Sequence, residues 1–146
     1  VKDVNDLQPK KIIKIMEQMN ISDKRKTISI LGLAFKKDTD DIREAISIKI
    51  VKNLLKIGMK IKVHDPMAIN NFKKIFGEKI EYSKSISSCL TNSNCCIILT
   101  EWDEYKKLKQ KDFIKIMKTK NVIDARRILD PTKFKKINFA ALGLGK

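Results

Sequence analysis

The chain has 146 residues, enough for one domain with its own core, and its 42% hydrophobic content is ordinary for a globular protein. No apolar run approaches the roughly 20 residues that cross a bilayer as a helix, which excludes a spanning helix. A formal net charge of +15 invites a nucleic-acid reading, but the lysines are scattered over almost every segment and no aromatic residues interleave with them to stack bases, so no specific nucleic-acid partner and no membrane partner are expected.

Residues 7–19 read as a helix. Pro9 suits a first turn, and Ile12, Met16 and Met19 share one face, an apolar face expected to seek a partner. After a polar link come a strand at 27–32 and a helix at 43–57, whose stripe is Ile46, Ile50, Leu54 and Ile57, with Gly58 as the stop. The alternating KIKVH at 60–64 is a strand ended by Asp65 and Pro66. Residues 67–76 are a short helix closed by Gly77. A short strand at 79–82 precedes a helix at 85–92 with Ser85 near its cap. The continuous apolar run at 95–99 has the composition of a doubly covered parallel strand. Helical stretches at 103–108 and 112–117, a strand at 121–124 and a last strand at 137–141 complete the order.

Strands alternating with helices predict an α/β fold: a Rossmann-like three-layer domain with a mostly parallel sheet. Ligands of such sheets collect at the carboxyl ends of the strands. The segments expected there are 32–43, 65–68, 100–103 and 124–127, and they hold most of the unusual chemistry.

Cys89, Cys95 and Cys96 are odd in number, two of them adjacent, which argues against a disulfide framework; buried, reduced thiols of a cytoplasmic protein are expected. One His and no CxxC pair leave little for zinc, and no metal is expected. The chain opens on VKDVND without Met, a basic start or an apolar stretch, and we expect a piece of a longer protein without a secretory leader.

The loop at 32–44, GLAFKKDTDDIRE, follows the first strand where a phosphate-binding turn would lie, yet it has one glycine and neither GxGxxG nor GxxxxGK[ST]. Phe35 offers a flat apolar face, Lys36 and Lys37 are mobile charges, and Arg43 lies near a helix N-terminus, itself favourable to anions. Asp38, Asp40 and Asp41 either cap the helix or hold the cations; the spacing does not match a calcium loop. A salt-bridged helix cap and an organic-anion site, such as one for a nucleotide diphosphate, both remain open. In a chain whose 32 basic residues include only Arg25, Arg43, Arg126 and Arg127 as arginines, the loop positions of Arg43, Arg126 and Arg127 suggest that a flat two-pronged donor is needed there.

These residues resemble the UDP-glucose/GDP-mannose dehydrogenase family. GLAFKKDTDDIREA is similar to the signature that opens the family's C-terminal domain. VHDPMA at 63–68 is similar to its Tyr-Asp-Pro-x-Ala, LTEWDEY at 99–105 to its Thr-Glu-Trp-x-x-Phe, and VIDARR at 122–127 to its Ile-Asp-Gly-Arg. FAALGLG at 139–145 resembles its closing Tyr-x-Gly-x-Gly, and VNDLQ at 4–8 the Asn-x-x-Gln of its central helix. The resemblance implies two units: residues 1–22 as the C-terminal part of a long central dimerisation helix, and 23–146 as a nucleotide-sugar-binding Rossmann-like domain.

It further implies a UDP-sugar substrate, leaning to UDP-glucose over GDP-mannose or N-acetylated sugars, oxidised at C6 to UDP-glucuronate with two NAD+ by a cytoplasmic homodimer. NAD would be bound mainly by an N-terminal domain this chain lacks, as would the nucleophilic cysteine, so no catalytic residue is expected here and the chain alone should be inactive. Phe35, Lys36 and Arg126 match substrate-binding positions, and Arg43 matches an Arg that contacts NAD across the domain cleft. Asp40, Asp41 and Glu44 are expected to hold Lys36 and Arg43. His64 stands where the family has Tyr, Ala125 where it has Gly, and Ala45-Ile46 where Pro is frequent. The alternative is a stand-alone basic Rossmann-like module that binds nucleotides or polyanions without catalysis.

Overall fold

The computed structural model describes residues 9–142. In chain order these are α1 (Pro9–Gln18), β1 (Thr27–Leu31), α2 (Ile46–Ile57), β2 (Lys60–His64), α3 (Ile69–Phe76), a 3-10 turn (Gly77–Lys79), β3 (Glu81–Tyr82), α4 (Ile86–Leu90), β4 (Cys95–Ile98), α5 (Asp103–Lys106), α6 (Gln110–Ile114), β5 (Asn121–Asp124), a second 3-10 turn (Pro131–Lys133) and β6 (Asn138–Ala141). The six strands form one sheet in the order β3-β2-β1-β4-β5-β6, and every pairing is parallel. This is the doubly wound order, with its topological switch point between β1 and β4.

Side chains alternate across the sheet and divide the core in two. Ile28, Ile30, Cys95, Ile97 and Ile123 face one layer, where they meet Ile12 and Met16 of α1, Ile50 and Leu54 of α2 and Phe72 of α3. Leu31, Cys96, Ile98 and Val122 face the other, against Cys89 and Leu90 of α4, Tyr105 of α5 and Phe113 of α6. Each fully buried large side chain, such as Phe72 or Phe113, contributes about 1.5–3 kcal/mol by leaving water.

Three local expectations are corrected. The apolar face of α1 is not left for a partner: Ile12 and Met16 are buried in the chain's own core, and Ile13, Ile15 and Met19 pack against it. Residues 7 and 8 of that predicted helix lie outside the described residues. In α2 the buried row is Ser47, Ile50, Val51 and Leu54, and Ile57 is exposed. Ser47 turns inward because its hydroxyl donates to the Leu33 carbonyl at 2.8 Å. Finally, α2 begins at Ile46, three residues later than predicted, with Ala45 as N-cap and no side-chain cap; none of the loop's aspartates caps it. Gly58, at φ 99°, closes that helix in the left-handed region as expected.

Candidate functional site

Four loops leave the carboxyl edge of the sheet beside the switch point, and the four consecutive residues 100–103 after β4 tie them together. The Thr100 hydroxyl donates to the Ala34 carbonyl at 2.9 Å. Glu101 accepts from Arg126 Nη2 at 2.9 Å. The Trp102 indole N–H donates to Asp65 Oδ2 at 3.2 Å. Asp103 accepts from Lys37 Nζ at 3.4 Å. The loops after β1, β2 and β5 are therefore all fastened to one short segment.

Gly32 owes its place to this closeness. Its φ is 101°, and a Cβ built on it would lie 2.5 Å from Thr100 Cβ and Oγ1 and 2.6 Å from the Thr100 backbone nitrogen. The glycine lets the loops after β1 and β4 touch; it does not open a phosphate cradle. The next amides are also occupied. Asp65, buried one residue past β2, accepts from Leu33 N at 2.7 Å and Ala34 N at 3.0 Å through Oδ2. Its Oδ1 accepts from Met67 N and Ala68 N, each at 2.8 Å. That turn is why α3 starts at Ile69 and not at the predicted residue 67. With the amides taken by a carboxylate and the space at Gly32 filled by Thr100, this turn does not fit the pyrophosphate of a dinucleotide.

What the edge presents outward is side chains. Phe35 is 54% exposed, held by its own N–H to the Asp41 carbonyl at 2.7 Å. Lys36 is exposed and makes no hydrogen bond or ion pair among the described residues. Arg126 stands at the end of β5, its backbone N–H on Asp124 Oδ1 and its guanidinium engaged by Glu101, with side chains 21% and 31% exposed respectively. Asp124 is the buried anchor of that loop. Burial raises its pKa, and the N–H groups of Leu129 and Arg126 partly offset the rise. Ala125 does not take a positive φ, so its replacement of glycine brings no strain, whereas the following Arg127 does, at 55°.

Arg43 is built differently. Its Nε and Nη2 chelate the Asp41 carboxylate at 3.0 and 2.9 Å, and its side chain is 88% exposed. Hydrogen bonds from the Arg43 side chain and backbone hold the Asp41 pKa down at about 2. Of the carboxylates expected to hold the cations, Asp41 does so for Arg43, while Lys37 is held by Asp103, outside the loop. Glu44 sits at φ 59° beside Arg43. A cavity of about 590 Å³ opens on this side, lined by residues 39–43 with Asn71, Lys74 and Ile75 of α3. It borders Arg43 and excludes Phe35, Lys36 and Arg126. Phe35 and Lys36 thus leave the loop after β1, Arg126 leaves the loop after β5, and Arg43 borders the cavity on the α3 side.

His64 and the cysteines are structural in this geometry. His64 is buried, with Nδ1 2.8 Å from the Tyr105 hydroxyl, which donates to the His64 carbonyl at 3.0 Å. That hydroxyl has one proton, so Nδ1 carries its own proton and donates back. All three thiols are buried and free of disulfides, and burial pushes the Cys89 pKa up to about 12, which removes it as a nucleophile at neutral pH. Among the described residues no group of His, Cys, Asp or Glu is arranged to hold a metal ion, and no helix is long and apolar enough to cross a membrane.

Residues 29–131 match the family model described as the UDP-glucose/GDP-mannose dehydrogenase family, UDP binding domain. The chain is 37% identical over 128 residues to the UDP-glucose 6-dehydrogenase AglM of Haloferax volcanii, covering 87% of this chain and 29% of that protein. It is 32% identical over 123 residues to the UDP-glucose 6-dehydrogenase TuaD of Bacillus subtilis, covering 84% and 27%. Among solved structures, a UDP-glucose dehydrogenase from the hyperthermophilic archaeon Pyrobaculum islandicum superposes with a TM-score of 0.76 at 27% identity, over 94% of this chain and 29% of that one. The chain thus spans less than a third of the length of these relatives.

Proposed function

We propose, because the chain belongs to the UDP-glucose/GDP-mannose dehydrogenase family, that it supplies the sugar-nucleotide side of the active site of an NAD-dependent UDP-glucose 6-dehydrogenase. Residues 23–146 are the nucleotide-sugar domain, and residues 1–22 are the end of the central helix of a cytoplasmic homodimer. The observation that carries this reading is the chemistry of the loops that leave β1 and β5 beside the switch point. Phe35 and the exposed Lys36 leave the loop after β1, Arg126 leaves the loop after β5, and backbone amides are withheld. A diphosphate met there is held by side-chain cations, with Arg126 giving directional, charge-assisted bonds and Phe35 an apolar surface.

The chain's own contribution is to bind and orient the substrate and to keep water from it when a second domain closes over the edge. NAD supplies the hydride acceptor when bound by the upstream domain. Arg43, which borders the cavity on the α3 side, is the residue we assign to the contact with it. No residue here acts as nucleophile or base.

Calorimetry with UDP tests this. Wild-type chain should bind, and Lys36→Ala and Arg126→Ala should each weaken binding about tenfold, the loss of one charge-assisted contact worth about 1.4 kcal/mol. Equal affinities in all three would sink the assignment of both residues. Duplex DNA bound as tightly as UDP, with a steep salt dependence, would favour the non-catalytic basic module.

A further inference from the structure

In dinucleotide-binding sheets of this order, two groups recur at the switch point: turn amides after β1 that take the pyrophosphate, and an acidic residue near the end of β2 that takes a ribose hydroxyl. Here both are present and satisfy each other. Asp65 stands one residue past β2 but points inward, and its carboxylate receives Leu33 N, Ala34 N and the Trp102 indole on Oδ2, and Met67 N and Ala68 N on Oδ1.

We infer that Asp65 is an internal anion, a positioning and specificity residue whose carboxylate stands where a phosphate would otherwise sit. Two consequences follow. The turn after β1 is closed to dinucleotides. The same bonds also fix the backbone of Leu33 and Ala34, the residues directly before Phe35 and Lys36, and so aim both at the substrate. The second consequence rests on the sugar-nucleotide reading above; the first does not.

Removal of the carboxylate should leave a vacancy that a small carboxylate can refill. In the full chain, Asp65→Ala should weaken UDP binding by about tenfold or more, the equivalent of at least one directed contact. Formate should restore most of the affinity and raise the melting temperature, while chloride at matched ionic strength should do neither. Asp65→Asn should stay impaired and unresponsive, because its amide fills the space and turns N–H donors against N–H donors.

Wild-type affinity in a folded Asp65→Ala chain would overturn the proposal, as would a loss that formate leaves unchanged. If Asp65→Ala folds only with formate, the internal anion is supported; if formate rescues neither its fold nor its melting while Asp65→Asn binds UDP normally, it is refuted. A wild-type chain that fails to bind UDP would refute the sugar-nucleotide reading alone. The amide NMR signals of Leu33 and Ala34 in Asp65→Ala then decide the internal-anion role, since they must move with formate. In wild type NAD must leave both signals in place, and movement would overturn the exclusion of dinucleotides.

Discussion

Glu101→Gln should make the chain bind UDP more tightly. Arg126 Nη2 and Glu101 Oε1 are 2.9 Å apart, and both side chains are mostly but not wholly shielded from water. Exposed pairs of this kind are worth about 0–1 kcal/mol and charge-assisted hydrogen bonds about 1.5–3 kcal/mol, so about 1 kcal/mol is a fair value for a half-buried one. A diphosphate that recruits Arg126 must displace or share with Glu101 and also meets its negative charge. Glutamine keeps the shape and one acceptor oxygen, removes the negative charge and leaves a weaker bond to displace. A gain of about 1 kcal/mol is about a fivefold lower Kd. Calorimetry at low and high salt reads it, with the gain shrinking as salt screens the charges. In an Arg126→Ala background the same substitution should lose most of its effect, because the coupling runs through the guanidinium. Unchanged or weaker binding in Glu101→Gln would refute the competition, as would an equal gain with and without Arg126.

Two further outcomes follow from the geometry. Gly32→Ala should cost about 2–5 kcal/mol, combining a positive-φ penalty with overlap on the Thr100 backbone; a melting point within 2 °C of wild type, against an expected loss of about 5–15 °C, would show that the two loops can part. The pH dependence should carry a histidine signature. Burial holds the native pKa of His64 below its usual value, so as pH falls through about 6.5 the unfolded chain takes up a proton that the native chain refuses, and stability declines from there down to the native pKa. The acid-side loss from half-buried Asp41 and exposed Asp103 and Asp130, whose native values are depressed, comes only below about pH 4. Melting between pH 7.5 and 5.5 should therefore fall in wild type and fall less in His64→Gln; parallel slopes would refute the assignment.

The strands were legible because their signal is local. Continuous or alternating apolar runs such as CCII and KIKVH name their own burial, and all six predicted strands are present. Helix starts were less so. Asp65 takes the amides of Met67 and Ala68, and Ser47 takes the carbonyl of Leu33, so side chains and not the apolar pattern decide where α3 begins and which face of α2 turns inward. Phe35, Lys36 and Arg126 could be placed at the edge from strand order alone. Their governors could not: Thr100, Glu101 and Trp102 reach partners 66, 25 and 37 positions away, and nothing in a local window marks such contacts. For Asp65 a signal did exist, namely an acidic residue at the end of the second strand of a Rossmann order.

The joining of all four loops by residues 100–103 also bears on when this site comes into being. Its contacts span up to 66 positions, so they close long loops, whose entropic cost must be met before the contacts form. A chain that has docked β1 on β2 but not β4 on β1 has Gly32 without Thr100 and Asp65 without Trp102. Without that docking the four loops are not joined. Ligand therefore recognises only the finished sheet, and its binding energy opposes unfolding of the whole domain and not of one loop.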